Sequence, residues 1–298
     1  MFEQLGLIGC GLMGGSFALA LKEAGLVRQA VGYSKSERTR ERALDLGVID
    51  HAAATLEDAV DGSDIVLLAV PVAATESSLA AIAPALGPRA LLMDVGSTKC
   101  DVVAAARRSL GERLPNFVPA HPIAGKESAG VEHAEAGLYR ERQLILTPLP
   151  ETRPELVELA AELWSLVGSR VLQMAPERHD AAYATVSHLP HLLAFAAMNA
   201  ILEQPQADEF LALAGPGFRD FSRIAASDPS VWRDILLANR EQVLLQSRLF
   251  RDALAELEAT MQNGDASALQ ALITRASESR AGWLLGGQRP APSEADPA

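Results

Sequence analysis

The sequence predicts a parallel-sheet α/β domain followed by an all-helical domain. Three observations carry that expectation. Short apolar runs alternate with helical patterns through the first half of the chain. The first of those runs leads straight into a glycine-rich turn that opens a helix. After Pro176 the apolar runs stop, and residues to about Leu285 carry helical patterning. Strands alternating with helices imply a parallel sheet with right-handed crossovers, and 298 residues exceed what one hydrophobic core usually serves. The expected organisation is a sheet domain over 1–175, a helical substrate and dimerisation domain over 176–285, and a Gly/Pro/polar tail over 286–298 expected to be disordered.

In order along the chain, Gln4–Gly9 (QLGLIG) reads as a strand and Gly14–Gly25 as a helix closed by a glycine. Gln29–Tyr33 reads as the second strand and Ser36–Gly47 as a charged helix. Asp64–Pro71 (DIVLLAVP) and Arg89–Gly96 (RALLMDVG) are near-continuously apolar, the pattern of strands covered on both faces. NFVPAH reads as a further strand ending at His121. Arg142–Pro148 and Arg170–Pro176 add late strands around a helix over Pro154–Gly168. The helical half is expected to break at QPQAD, at AGPGF and at SDP, where Asp228 caps a helix that has Pro229 in its first turn. Pro190 should kink its helix and free backbone groups there.

Net charge is −12, and no basic stripe offsets it, so nucleic acid is excluded as a partner. The two cysteines, Cys10 and Cys100, have neither CxxC spacing nor a histidine at metal-ligand spacing, which fits a reducing, cytoplasmic compartment and no metal. No basic n-region precedes the first apolar run, and no apolar stretch is read as long enough to cross a bilayer, so no membrane association is expected.

GLIGCGLMGGS carries Gly9-x-Gly11-x-x-Gly14 between the first strand and the first helix, the context in which this spacing marks a Rossmann-like dinucleotide site. The glycines permit the tight turn, close backbone approach to a pyrophosphate and close helix–strand packing. Leu12 and Met13 lie within the turn, and Val70 and Pro71 end a neighbouring strand at the same sheet edge, so these too are expected to touch cofactor. The second half of the fingerprint departs from the NAD pattern. Where an acid should hold the ribose hydroxyls, the chain has Tyr33-Ser34-Lys35-Ser36, with Arg38 nearby. Small hydroxyls and cations suit a 2′-phosphate, which favours NADP slightly over NAD and leaves dual use open.

His121, at a strand end beside Ser97 of DVGSTK, reads alone equally as a capped structural histidine and as a base, since a neutral imidazole can take the proton when an alcohol is oxidised. His179, His188 and His191 follow in the helical half, with Arg219 and Arg223 four residues apart and Trp232 after them. Taken alone, His188 and His191 read equally as a helix-packing pair, and the two arginines as a surface face paired with Asp220 and Asp234.

Taken together, GLIGCGLMGGS, DVGSTK, HPIAGKESAG, SHLPH and GFRDFSRIAASDPSVWRD resemble the prephenate dehydrogenase family, which includes arogenate and cyclohexadienyl dehydrogenases. The resemblance runs from about residue 4 to 285 and preserves motif order. It implies NAD(P)-dependent oxidative decarboxylation of prephenate, or of arogenate, in tyrosine biosynthesis. It implies that His121 draws off the ring hydroxyl's proton beside Ser97, that His191 faces the substrate side chain, and that Arg223 binds the ring carboxylate. Glu127 and Trp232 would line the pocket, with Glu127 gating it, and His188 would be structural. The role of Lys126 stays open. The resemblance further implies a homodimer formed through the helical domain, with tyrosine able to inhibit by competing at the active site. No regulatory ACT domain or fused chorismate mutase is expected.

Two rival readings fit the sequence less well. A β-hydroxyacid dehydrogenase would need a catalytic lysine in the helical half, and no lysine follows Lys126. A non-catalytic dinucleotide sensor would leave His121, His191 and Arg223 without a purpose.

Overall fold

The computed structural model describes residues 1–126 and 128–283. The chain forms two compact units, 1–243 and 244–298. The first begins with β1 (Phe2–Ile8), α1 (Leu12–Glu23), β2 (Val27–Tyr33), α2 (Glu37–Asp45), β3 (His51–Ala52), α3 (Leu56–Val60), β4 (Ile65–Leu68), α4 (Thr75–Ile82), β5 (Leu91–Asp94), α5 (Cys100–Ser109) and β6 (Phe117–Val118). These strands make one six-stranded sheet in the order β3-β2-β1-β4-β5-β6, with every pairing parallel. The order reverses direction between β1 and β4, the place where open α/β sheets leave a crevice for a ligand.

Side-chain alternation explains why β4 is apolar throughout and β5 is apolar up to Asp94. Ile65 and Leu67 enter the core on one face, and Val66 and Leu68 enter the core on the other. All four residues of each strand are buried, as helices on both faces require. The larger core is anchored by Trp164, with Phe17 at 4.5 Å between ring centroids and Tyr139 edge-on at 4.9 Å. Helix starts follow local chemistry: Ser36 accepts from the Thr39 N–H, and Thr55 and Asp58 form a reciprocal capping box.

The predicted strand NFVPAH is in fact two. β7 (Ala120–Pro122) leaves the large sheet and pairs antiparallel with β8 (Gln143–Leu146), which, after α6 (Pro154–Leu166), pairs parallel with β9 (Arg170–Gln173). Pro119 causes the break, because it has no N–H to donate to a ladder. His121 therefore stands opposite Ile145 in a small three-stranded sheet and not at the end of a strand of the large one.

Helices follow: α7 (Pro176–Tyr183), a π-helical turn (Ala184–His188), α8 (Leu189–Leu202), α9 (Ala207–Ala212), α10 (Pro216–Ser222) and α11 (Pro229–Ala238). The π turn lies just ahead of Pro190, as widening of the helix beside a proline would place it. Asp228 caps α11 through the N–H groups of Ser230 and Val231. The strands end where expected, but the first compact unit continues beyond residue 175, because α7 packs on α5, and α11 packs on the turn Val72–Ala74. α12 (Arg240–Gln262) and α13 (Ala266–Ala281) complete the described chain. Their junction, Asn263-Gly264-Asp265, was not among the predicted breaks; Gly264 there has φ +64°, a conformation glycine adopts without strain. The predicted tail over 286–298 lies outside the described residues.

One expectation is corrected. Within the 27-residue helical run Pro176–Leu202 an 18-residue window reaches a mean hydropathy of 1.3, enough by length and composition alone to cross a bilayer, whereas no such stretch was expected. It escapes a reading of the sequence because His179, Asp180 and His188 interrupt its apolar character. All three are buried, and each has a hydrogen-bond partner within this chain.

Candidate active site

The crevice at the β1/β4 reversal opens into a cleft of about 860 Å³. The glycine turn after β1 contributes Gly11, Leu12 and Met13, the end of β4 contributes Val70 and Pro71, and the end of β5 contributes Ser97. From the helical part come His191, Arg223 and Trp232. The structure thus gathers nine of the predicted site residues around one space, from segments more than 200 positions apart in sequence.

The glycine turn fits a dinucleotide. Gly9 has φ +98°, and a Cβ there would lie 2.2 Å from the Ala69 carbonyl oxygen; a Cβ on Gly14 would lie 2.2 Å from the Gly9 carbonyl oxygen. These two glycines are required by the protein's own packing. Gly11 differs: a Cβ on it would meet nothing within 4 Å. Its bareness serves whatever approaches the turn from the cleft. The turn is braced from outside by the Tyr139 hydroxyl, which donates to the Met13 carbonyl at 2.6 Å, and by Ser34, whose Oγ accepts from the Cys10 N–H at 2.8 Å. Ser34 is thereby committed to the turn. The cation held at the end of β2 is Arg40, which donates to the Ser34 carbonyl and lies 5.6 Å over the Tyr33 ring. Neither Lys35 nor Arg38 lines the cleft.

His191 and Trp232 stack with centroids 3.5 Å apart and planes inclined by 18°, and His191 Nδ1 is within 2.9 Å of the Ser187 carbonyl. Burial lowers the His191 pKa, so the ring is neutral near pH 7. Arg219, by contrast, pairs with Asp220 on the exposed surface, as the simpler reading of the sequence has it. Lys126 lines the cleft, while its ammonium is engaged by Glu135 at 2.9 Å and the His133 carbonyl at 3.1 Å. Glu127 lies outside the described residues.

His121 does not line the cleft. Its ring is half-buried between His179 and Tyr183, at 5.0 Å from each centroid. Its Nδ1 lies 2.8 Å from His179 Nε2, and His179 Nδ1 lies 2.8 Å from Asp180 Oδ1. Burial, reinforced by His179, Lys99 and His188, holds the His121 pKa well below 6.5. The expected Ser97–His121 hydrogen bond does not form among the described residues; Ser97 stays on the cleft wall. His188 is structural, as the resemblance implies: its Nδ1 is 3.1 Å from Asn239 Nδ2, and burial lowers its pKa to about 4.

Beneath the cleft, the completely buried Lys99 ammonium meets Asp94 Oδ2 at 2.5 Å and donates to the Ala120 carbonyl at 2.8 Å. Asp94 in turn accepts from the Ala120 and Gly96 N–H groups. This pair ties the Ser97 turn to the backbone that precedes His121. Sequence reasoning did not single out Asp94, Lys99, Asp180 or Arg40. The signal for the first two was present in DVGSTK, where two opposite charges bracket an otherwise small and polar turn in a buried strand end.

The family described as "Prephenate dehydrogenase, nucleotide-binding domain" matches residues 17–173, and "Prephenate dehydrogenase, dimerization domain" matches residues 175–275. The chain is 35% identical over 271 residues to a cyclohexadienyl dehydrogenase of Zymomonas mobilis, covering 89% of this chain and 91% of that one. It is 34% identical over 291 residues to a prephenate dehydrogenase of Bacillus subtilis, covering 96% of this chain and 77% of that one. A crystal structure of prephenate dehydrogenase from A. aeolicus, in complex with hydroxyphenyl propionate and NAD+, superposes with a TM-score of 0.88 at 34% identity, covering 94% of this chain and 98% of that one.

Proposed function

The chain belongs to the prephenate dehydrogenase family, and from that membership we propose that it oxidatively decarboxylates prephenate to 4-hydroxyphenylpyruvate with NAD(P), a step of tyrosine biosynthesis. The observation that carries the reading is the single cleft shared by the glycine turn, Ser97, His191, Arg223 and Trp232.

The bound nicotinamide supplies the hydride acceptor. The protein's own residues do the rest. Arg223 offers a guanidinium fork to the ring carboxylate. The His191–Trp232 stack forms a flat wall for the ring and places a neutral imidazole by the side chain. Ser97 holds the ring hydroxyl. His121, with Nδ1 turned to His179, presents Nε2 to take the hydroxyl proton. Loss of carbon dioxide makes the ring aromatic, so the chemistry is driven downhill, and the protein needs to position the substrate, hold the hydroxyl proton as hydride leaves, and return it to the ring oxygen as carbon dioxide departs. The loop after His121 reaches the cleft at Gly125 and Lys126.

Arogenate is the second substrate this reading admits, since it differs from prephenate only in carrying an amine where prephenate has a keto group. The Zymomonas mobilis relative is named a cyclohexadienyl dehydrogenase, which favours keeping it. For the cofactor, NADP is favoured slightly: β2 ends without an acid, and the Arg40 guanidinium is held at that end by the Ser34 carbonyl, a cation suited to a 2′-phosphate. A homodimer is supported by the dimerisation-domain match and by an exposed apolar row on α12 comprising Leu244, Leu245, Leu249, Phe250 and Leu254. Tyrosine is proposed as a competitor at the same cleft. The two free cysteines fit a cytoplasmic location.

Side-by-side steady-state assays of prephenate and arogenate, each with NAD and with NADP, test the assignment. Turnover of prephenate supports it; turnover of neither substrate with either cofactor overturns it.

A further inference from the structure

We propose that Asp180 and His179 are positioning residues that fix the tautomer of His121, so that Nε2, the nitrogen not turned to His179, is always the unprotonated one. The inference rests on the reading above, in which His121 is the base, and assigns parts to two residues for which that reading has no task.

Three contacts form one chain. Asp180 Oδ1 lies 2.8 Å from His179 Nδ1, and His179 Nε2 lies 2.8 Å from His121 Nδ1. The far end is immobile. The Asp180 carboxylate accepts the backbone N–H groups of Lys99 at 2.8 Å and Cys100 at 2.9 Å, where α5 begins, and its own carbonyl accepts from Asn239 Nδ2 at 2.8 Å. Burial opposes ionisation of Asp180, but the His179 hydrogen bond and those two N–H groups outweigh it and hold its pKa below the usual carboxylate value. Asp180 is therefore an anion and can only accept.

That fixes each proton in turn. His179 must donate from Nδ1. Burial keeps the His179 pKa below 6.5 despite the carboxylate, so the ring is neutral and its Nε2 bears a lone pair. His121 must then donate from Nδ1, which leaves its Nε2 bare. In reverse, when Nε2 takes the substrate proton, the positive charge on His121 faces a lone pair backed by a carboxylate. The groups around it are Lys99 and Asp94 from the β5 turn, His179, Asp180 and Tyr183 from α7, and His188 from the π turn. Lys99 opposes the new charge, while Asp180 favours positive charge on the adjoining His179. Asp180 also binds the segment that carries Ser97 to α7, so one carboxylate sets both groups that meet the substrate hydroxyl.

The test uses the full-length protein and the variants Asp180→Asn, His179→Gln and His179→Leu. An amide at 180 can donate to His179 Nδ1, which reverses both imidazoles and puts the proton on His121 Nε2. Asp180→Asn should lower kcat on the order of 10²–10⁴-fold, the scale on which an orienting carboxylate acts on a catalytic histidine. It should leave KM for prephenate and the cofactor Kd unchanged, and move the acid limb of the kcat–pH profile to lower pH. The glutamine carbonyl at 179 can still accept from His121 Nδ1, so His179→Gln should retain about ten-fold more kcat than His179→Leu, the worth of one hydrogen bond. Nitrogen-15 NMR of selectively labelled histidine, on protein without substrate, reads the tautomer directly: Nδ1–H on His121 in the wild type, Nε2–H in Asp180→Asn. An unchanged tautomer in Asp180→Asn overturns the proposal even where kcat falls, as does an unchanged kcat. Absence of prephenate or arogenate turnover by the wild type would sink the assigned reaction alone, and the NMR result would still decide the tautomer.

Discussion

Replacing Gly11 with alanine separates what the fold needs from what the cofactor needs. Gly11 precedes α1 with φ −84° and ψ −163°, an extended conformation open to any residue. A Cβ there meets no protein atom within 4 Å. Alanine is a poorer helix cap than glycine by a few tenths of a kcal/mol or somewhat more, and it restricts the unfolded chain by about 0.4–1 kcal/mol. The two effects nearly cancel, so the variant should melt close to the wild type. The added methyl group points into the space where the pyrophosphate must approach the turn. Displacing it removes one charge-assisted hydrogen bond from the helix N-terminus, about 1.5–3 kcal/mol, or roughly 10–150-fold in Kd. Titration with NAD and with NADP measures the loss, and thermal melting of the same samples controls for folding. Gly14→Ala is the contrast: its Cβ would lie 2.2 Å from the Gly9 carbonyl oxygen, so its melting temperature should fall. Undiminished cofactor affinity in Gly11→Ala would refute the placement of the dinucleotide over this turn.

Three further outcomes are expected. Lys99→Met leaves the buried Asp94 carboxylate without its counter-charge and should cost about 3–5 kcal/mol in urea unfolding; a loss below about 1 kcal/mol would show that the pair does not hold the Ser97 turn. Arg223→Ala should raise KM for prephenate by about 10–100-fold without a matching fall in kcat, because the ring carboxylate is the group that leaves as carbon dioxide and the arginine binds its charge most fully in the ground state; a fall confined to kcat would assign the arginine elsewhere. Stability should fall in acid through His188, whose folded pKa of about 4 lies below the unfolded value near 6.5. The unfolded chain takes the proton first, so the contribution is intact above pH 6.5 and is lost as pH falls toward 4, up to about 3 kcal/mol. His188→Gln should flatten that part of the stability–pH curve, and an equally steep curve in the variant would contradict it.

Periodicity made the large sheet legible. β4 is apolar at every position, and β5 at every position before Asp94, because both faces are covered, and that pattern needs no tertiary knowledge. The glycine turn was legible for a related reason, since steric demands at Gly9 and Gly14 leave a fixed spacing. His121 was found as a residue and misplaced as a position. A proline one residue before β7 hands the chain to a second sheet, and strand propensity does not register where a ladder changes partners. The Asp94–Lys99 pair and the Asp180–His179–His121 chain were hidden for another reason. The two sides of the second network are 58 residues apart, and a carboxylate beside a histidine in a helix reads as surface until packing buries it. That Arg40 packs over Tyr33 reflects helix phase: the end of β2 and the first turn of α2 decide which side chain folds back.

The account stands on His121 as the group that takes the proton. The direct measurement is the kcat of His121→Asn with prephenate across pH, with KM and cofactor Kd determined on the same protein. Asparagine keeps a polar side chain of similar reach but cannot accept the proton. The account predicts a fall in kcat of about 10²–10⁴-fold, near-unchanged KM and cofactor Kd, and loss of the wild-type acid limb, which should lie well below pH 6.5. A kcat near that of the wild type at every pH would contradict it.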